Sequence, residues 1–353
     1  MAMQKINIDK FLELRNQYPV IDVRSPGEFS HAHIPGAYTL PLFTDEERKI
    51  VGTAYKQQGR QPAIKIGLDI FGGKMTGLID IVEDILKQHS ASSELPATLL
   101  VYCWRGGMRS AGIAWLLDLY GYKVYTLVGG YKAFRRWTLD RFEKQYEFKI
   151  LGGYTGSGKT LVIEEFEKQG QAVIDLEKLA HHKGSAFGAL GEEPQPSQEM
   201  FENKLALELS KKPSCWLEDE SQRIGKMIIP NAIWKIMRSS PVFFLDIPFE
   251  ARLDYITTEY GIFDKEKLSD AIKRIERRLG GLEAKNALNF LAENEVKECF
   301  RILLAYYDKL YKKGLYNRNN PESLLNMIPC NTVGVAENLA RLLVGEPDHQ
   351  NTA

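Results

Sequence analysis

The sequence predicts an α/β protein made of two parallel-sheet domains in series, the second carrying a largely helical C-terminal part. Three observations predict it. Short apolar runs rich in β-branched residues alternate with helical patterns, first over residues 1–137 and again over 148–353. Each series sets a glycine-rich turn directly after a strand, CWRGGMRS in the first and GGYTGSGKT in the second. Between 249 and 313 the pattern changes to Leu, Lys, Glu and Arg at helical spacing.

Taken in order, PVIDVRS, LLVYCWR and KVYTLVGG read as buried strands between turn signals, and DKFLELRNQ and RSAGIAWLLDLYG as helices, the latter stopping at Gly121. Strands that alternate with helices imply a mostly parallel sheet covered on both faces. The stretch LFTDEERKIVGTAYKQQGRQPAIKIGLDIFGGKM is too long for a bare connection and should hold helices of its own. The charged, helical run YKAFRRWTLDRFEKQYEF places a joint at 138–147. After it, FKILGG, QAVIDLE, SCWLEDES, PVFFLDIP and LNMIPCNT read as the strands of the second domain.

Bulk properties exclude several classes. A chain of 353 residues exceeds what one core usually holds. Its 46 basic and 46 acidic side chains cancel, so bulk electrostatic capture of nucleic acid is not expected, although a local basic face is compatible with that balance. No apolar run approaches the roughly 20 residues that span a bilayer, and MAMQKINIDKF lacks a signal-peptide core. Cys103, Cys215, Cys299 and Cys330 form no CxxC pair, which argues against a zinc ribbon or a disulfide framework and for a reducing cytoplasm.

The turn from Gly153 to Thr160 has the form G-x-x-x-x-G-K-[ST], between an apolar strand and the helical pattern LVIEEFEKQG. Gly153, Gly156 and Gly158 let the backbone of this loop, Ser157 included, curl so that its N–H groups face an anion. The following helix terminus adds positive potential and Lys159 a full charge. Thr160 offers a hydroxyl to Mg²⁺ if that ion binds. Asp175 closes the next strand, and Glu218, Asp219 and Glu220 the one after, where open α/β sheets place ligand chemistry. Asp175 and Asp219 are the expected acidic partners of the loop. Cys103 closes its own strand, and a helix begins near Arg109, with Trp104, Arg105, Gly106, Gly107 and Met108 between. A thiol at a helix N-terminus beside arginines loses its proton readily, and the same N–H groups would hold an oxyanion.

The stretch VIDVRSPGEFSHAHIPGAYTLP resembles the rhodanese signature through Asp22, Arg24, Glu28, His33, Ile34, Pro35, Gly36 and Pro41, and LVGGYKAFRRW resembles the close of that domain. In rhodanese relatives the loop cysteine carries sulfur as a persulfide, usually with four residues between Cys and Arg. Here five residues separate Cys103 from Arg109, a spacing similar to that of cell-cycle dual-specificity phosphatases, whose wider loop cradles a phosphate-sized group. A rhodanese-like domain (1–137) followed by a P-loop NTPase-like domain (148–353), together with ERKIVGTAYKQQG, LAHHKGSAFG, LEDESQRIG and RRLGGL, resembles the tRNA 2-selenouridine synthase family.

That resemblance implies an enzyme acting on tRNA with 2-thiouridine at the wobble position. Two substrates are implied, geranyl diphosphate and selenophosphate, and no tightly bound cofactor. The base sulfur would be geranylated at the P-loop, with Lys159 stabilising the departing diphosphate. Selenium carried on Cys103 as S-selanylcysteine would then displace geranylthiol, while Arg105, Arg109 and the loop N–H groups bind the departing phosphate. Lys132, Arg135, Arg136, Arg274, Arg277 and Arg278 are candidate tRNA phosphate contacts, and Trp104, Tyr131 and Trp137 candidate stacking platforms. Two other readings stay open at this point: an ATP-dependent sulfurtransferase, and a nucleotide-switched module that senses an anion.

Overall fold

A computed structural model describes residues 4–89 and 97–344, and the chain divides into two compact units, Met1–Arg141 and Phe142–Ala353. Residues 138–142, expected in a joint, finish the helix Gly130–Phe142; residues 143–146 then lead into the first strand of the second unit.

The first unit holds β1 (Gln4–Ile6), β2 (Val20–Asp22), β3 (Tyr38–Thr39), β4 (Thr98–Tyr102) and β5 (Lys123–Leu127), all parallel in the order β1-β5-β4-β2-β3. The central strand β4, TLLVY, is buried beyond its first residue, as a strand covered on both faces must be. Ile21, Leu99, Val101, Ile113 and Leu117 join one core, each fully buried side chain of this kind contributing about 1.5–3 kcal/mol. The long stretch before residue 75 does carry helices, Asp45–Gln58 and Arg60–Gly72, separated at Gly59. The capping box of Thr44 and Glu47 starts the first of them.

The second unit holds β6 (Glu147–Gly153), β7 (Val173–Ile174), β8 (Ser214–Glu218), a short antiparallel pair β9 (Arg223–Ile224) and β10 (Met227–Ile228), then β11 (Val242–Asp246) and β12 (Leu325–Pro329). Its main sheet is parallel in the order β12-β11-β6-β8-β7. QAVIDLE is a shorter strand than expected because the Asp175 carboxylate accepts from the Lys178 N–H at 2.8 Å and opens the helix Leu176–Ala180. Helices Phe249–Tyr260, Lys265–Leu279, Gly281–Ala292 and Val296–Leu315 build the helical part. In Lys265–Leu279 the buried residues are Leu268, Ala271, Ile272 and Ile275, the i, i+3, i+4, i+7 stripe of an amphipathic helix. They pack with Leu253, Ile256, Phe300 and Leu303 in a separate core.

In both units the glycine-rich turn follows the central strand, β4 in one and β6 in the other.

Candidate functional site

The cysteine loop is shaped by a second glycine pair. Gly130 has φ +57°, and a Cβ there would stand 2.1 Å from the Cys103 carbonyl oxygen. Only glycine lets the Leu127–Tyr131 turn come this close, and Tyr131 N then donates to Cys103 O (2.8 Å) and Lys132 N to Trp104 O (3.0 Å). Backed in this way, the loop brings a backbone N–H and a hydroxyl to the sulfur. Gly107 N lies 3.3 Å and Ser110 Oγ 3.2 Å from Cys103 Sγ. Burial works to raise the thiol's pKa, but the Ser110 and Gly107 hydrogen bonds and the charge of Arg109 outweigh it, and the net shift is downward. Burial instead pushes Cys215 and Cys299 up to about 12.

The rhodanese-signature residues support this loop from below. Arg24 and Asp22 form a fully buried pair, with Nη2 to Oδ2 at 2.6 Å, and Tyr102 Oη donates to the same oxygen at 2.6 Å. Arg24 also stacks on Tyr131, 3.9 Å from the ring centroid. Glu28 receives both Arg109 and Arg48 at 2.7 Å. Arg109 therefore acts on the sulfur through its charge while its Nη1 is held by a carboxylate, and Arg105 stands exposed at the rim. Trp104 is 38% exposed and can receive a base, but Tyr131 and Trp137 cannot. Both are buried with Phe134 on the inner face of their helix, so their expected stacking role is withdrawn.

In the second unit, Lys159 Nζ donates to the Gly153 carbonyl at 3.1 Å, and Ser157 Oγ is buried without a partner among the described residues. A phosphate oxygen would satisfy it. The turn at Gly156 lies against the helical part, where a Cβ would meet Ile256 at 2.8 Å and the Arg252 carbonyl at 3.0 Å. Arg252, nearly fully buried, donates to Thr155 O at 3.0 Å while paired with Asp308 at 2.7 Å. Tyr311 Oη accepts from Gly153 N at 3.2 Å and donates to Asp219 Oδ2 at 2.7 Å. The helical part thus braces the loop.

The acidic partners are not the two expected. Asp175 is occupied as a helix cap, and Asp219 is held by Tyr311 and by Arg318 at 2.5 Å. The carboxylates that gather are Glu177, Glu218 and Glu220, with one oxygen of each within 4.8 Å of the others. Thr160 Oγ1 donates to Glu177 at 3.2 Å, and both oxygens of the fully buried Glu218 lack a partner among the described residues. Burial first, then mutual repulsion, pushes Glu218 and Glu177 well above the carboxylate range and Glu220 to about 7. An all-oxygen set with an orphaned buried carboxylate fits a hard divalent cation such as Mg²⁺. The run LEDES at the end of β8 holds part of the signal, since Glu218 closes the strand and Glu220 follows it, its N–H donating to Glu218 O at 3.0 Å; nothing local marks Glu177.

A cavity of about 1470 Å³ opens beside this loop. Residues 155–160, Glu177 and Glu220 line one part; Arg238, Arg274, Arg278 and Arg318 contribute cationic surface, and Ile256, Ile275, Phe300, Leu303 and Leu304 an apolar wall. Of the expected tRNA contacts, Arg274 and Arg278 line this cavity, Arg274 also donating to Ala186 O at 3.0 Å. Arg277, Lys132 and Arg136 are exposed on their helices and Arg135 is half-buried. No described helix is long and apolar enough to cross a membrane.

Residues 146–325 match the family of tRNA 2-selenouridine synthase AAA domains and residues 7–136 the rhodanese-like domain. Curated relatives similar along most of the chain carry the name tRNA 2-selenouridine synthase. The protein of Sulfurovum sp. (strain NBC37-1) is 35% identical over 84% of this chain and 88% of its own. That of Nitrosomonas eutropha is 33% identical over 86% and 90%, and that of Aeromonas salmonicida 34% over 85% and 88%.

Proposed function

The chain belongs to the tRNA 2-selenouridine synthase family, and from that premise we propose that it converts wobble 2-thiouridine in tRNA to 2-selenouridine by way of an S-geranyl intermediate, using geranyl diphosphate and selenophosphate. One observation carries the reading: each unit ends its central strand in a glycine-rich turn, one around a thiol of lowered pKa and one around Lys159 beside an apolar wall. A diphosphate with a hydrocarbon tail suits the combination of this turn, the cationic surface and the apolar wall.

In the first step the thiocarbonyl sulfur attacks the allylic carbon of geranyl diphosphate. The carbon–oxygen bond breaks, diphosphate departs and the base loses its N3 proton. The N–H groups of the loop, Ser157 Oγ and Lys159 stabilise the departing charge. Glu177, Glu218 and Glu220, with Thr160, would hold a divalent cation, which when bound supplies further positive charge there. In the second step the terminal selenium carried on Cys103 adds to the same base carbon and geranylthiol leaves; an external dithiol reductant then cleaves the Sγ–Se bond, becoming a disulfide and leaving 2-selenouridine and the free Cys103 thiol. Cys103 is the proposed selenium carrier, its loop N–H groups and Arg105 receiving the phosphorus oxyanion. Trp104 is the platform for an extruded base, with Lys132, Arg135, Arg136, Arg274, Arg277 and Arg278 as proposed backbone contacts.

Full-length protein, thiolated tRNA and both donors should release geranylthiol in equal amount with selenouridine, read by mass spectrometry of the wobble nucleoside. An Sγ–Se bond drawn from selenophosphate leaves phosphorus two electrons richer, so the carrier role demands one phosphite per turnover. Orthophosphate in its place would show selenium reaching the base still bonded to phosphorus, and would overturn the carrier. Nucleotide hydrolysis with no change in the tRNA would overturn the whole reading in favour of a switch.

A further inference from the structure

Arg318 follows the helix Val296–Leu315 and is 5% exposed in the cavity wall. Its Nη2 donates to Asp219 Oδ1 at 2.5 Å. Its Nε and Nη1 are buried and have no partner among the described residues. A guanidinium presents a fixed fork of donors, and leaving part of that fork unpaired in the interior is costly. Asp219 cannot relieve it, because its other oxygen is engaged by Tyr311 Oη at 2.7 Å. A second guanidinium adds to the imbalance. Arg238, on the helix Asn231–Ser239, spends one nitrogen on Gly314 O at 2.8 Å and lines the same cavity. Burial and the charge of Arg318 both depress its pKa, the mark of two cations facing each other with a single carboxylate between them.

The position of this pair is fixed relative to the phosphate loop. Arg318 reaches Asp219, Asp219 reaches Tyr311, and Tyr311 reaches Gly153 N at 3.2 Å, while the Tyr311 ring lies 5.8 Å from Lys159 Nζ. We propose that Arg318, seconded by Arg238, forms a second anion subsite in this cavity, which takes the distal phosphoryl group of a diphosphate whose other phosphoryl lies in the loop Gly153–Thr160. The inference rests on the reading of that loop as a phosphate site and adds the residues that distinguish a diphosphate from a single phosphate. The unpaired Nε and Nη1, on different edges of the guanidinium plane, can each offer a donor to a phosphoryl oxygen, and a lysine ammonium does not reproduce donors fixed in that plane.

Calorimetric titration of the full chain with inorganic diphosphate and, separately, orthophosphate tests it. Arg318→Lys keeps a cation for Asp219 but gives up the two spare planar donors, so diphosphate affinity should fall by about tenfold or more while orthophosphate affinity stays within about twofold. Arg318→Gln should weaken diphosphate further. An equal loss for both anions in Arg318→Lys would mean that Arg318 only keeps the loop in shape, and would overturn the subsite. Unchanged diphosphate affinity with weakened tRNA binding would also overturn it, in favour of an RNA phosphate. A wild-type chain that binds neither anion would sink the phosphate reading of the loop itself, a failure distinct from the other two.

Discussion

Lys159→Ala separates the chemistry of the two units. In the structure Lys159 Nζ donates to a carbonyl, Gly153 O at 3.1 Å, and its charge also holds down the pKa values of Glu177, Glu218 and Glu220. Its hydrogen bond goes to an uncharged carbonyl, so the ammonium can turn to a diphosphate, which then competes with those carboxylates for its charge. Loss of a charge-assisted hydrogen bond of this kind weakens binding by about 1.5–3 kcal/mol, and by more where charge develops in the transition state. Geranylation should fall by at least about tenfold to a hundredfold. The assay follows S-geranyl-2-thiouridine by liquid chromatography and mass spectrometry, with thiolated tRNA and geranyl diphosphate as substrates, and is repeated at raised Mg²⁺ because the substitution also alters the carboxylate cluster. Supplied with tRNA that is already geranylated, the same variant should insert selenium at the wild-type rate. If both steps fail while tRNA affinity is normal, the loop serves the whole cycle and the division of labour is refuted.

Cys103→Ser should abolish selenium insertion and let the S-geranyl nucleoside accumulate; normal selenouridine formation would rule out a carrier at this position. Gly130→Ala forces a Cβ to 2.1 Å from Cys103 O at φ +57° and should destabilise the first unit by about 2 kcal/mol or more in urea melts. Gly52→Ala, inside the helix Asp45–Gln58 with nothing within 4 Å, should instead be neutral or stabilise by up to about 1 kcal/mol, and equal losses at the two positions would contradict the close-approach argument. Glu220 titrates near 7 in the folded chain against 4.5 when unfolded, and Glu177 and Glu218 are also raised, so the folded state holds extra protons between those values. The stability this confers is present below pH 4.5 and is lost as pH rises through 7. Melting of the chelated protein should therefore drop between pH 5.5 and 8, and Mg²⁺ should restore it at pH 8 with release of protons; a Mg²⁺ effect equal at both pH values would count against the cation site.

Both glycine-rich loops were legible because their residues are contiguous and their strand–turn–helix setting is written in the same twenty residues. The supports of those loops were not. Arg252, Asp308, Tyr311 and Arg318 come from helices and turns about a hundred residues or more beyond the loop they brace, and nothing in their local sequence distinguishes them from an ordinary charged helix face. Glu177 was missed because Asp175, two residues earlier, is the more obvious strand-end carboxylate, yet a capping hydrogen bond occupies it. Tyr131 and Trp137 were misread although the spacing of Tyr131, Phe134 and Trp137 on one helix already pointed to a core face rather than a platform. The close of the first domain, LVGGYK, marks a turn in the sequence. Its packing against the Cys103 carbonyl depends on the tertiary fold.

The placement of each loop after a central strand bears on how long its geometry persists. Leu100 and Val101 are paired on both sides, with β2 and β5, and Ile150 and Leu151 likewise with β8 and β11. Such amides exchange with deuterated solvent only when the surrounding unit opens as a whole, whereas amides at sheet edges and helix ends exchange through local fraying. The thiol turn and the lysine turn are thus expected to hang from the best-protected backbone of their units. Their donors should therefore keep their positions through local fraying of the surrounding backbone, because the strand that aims them opens only with the whole unit.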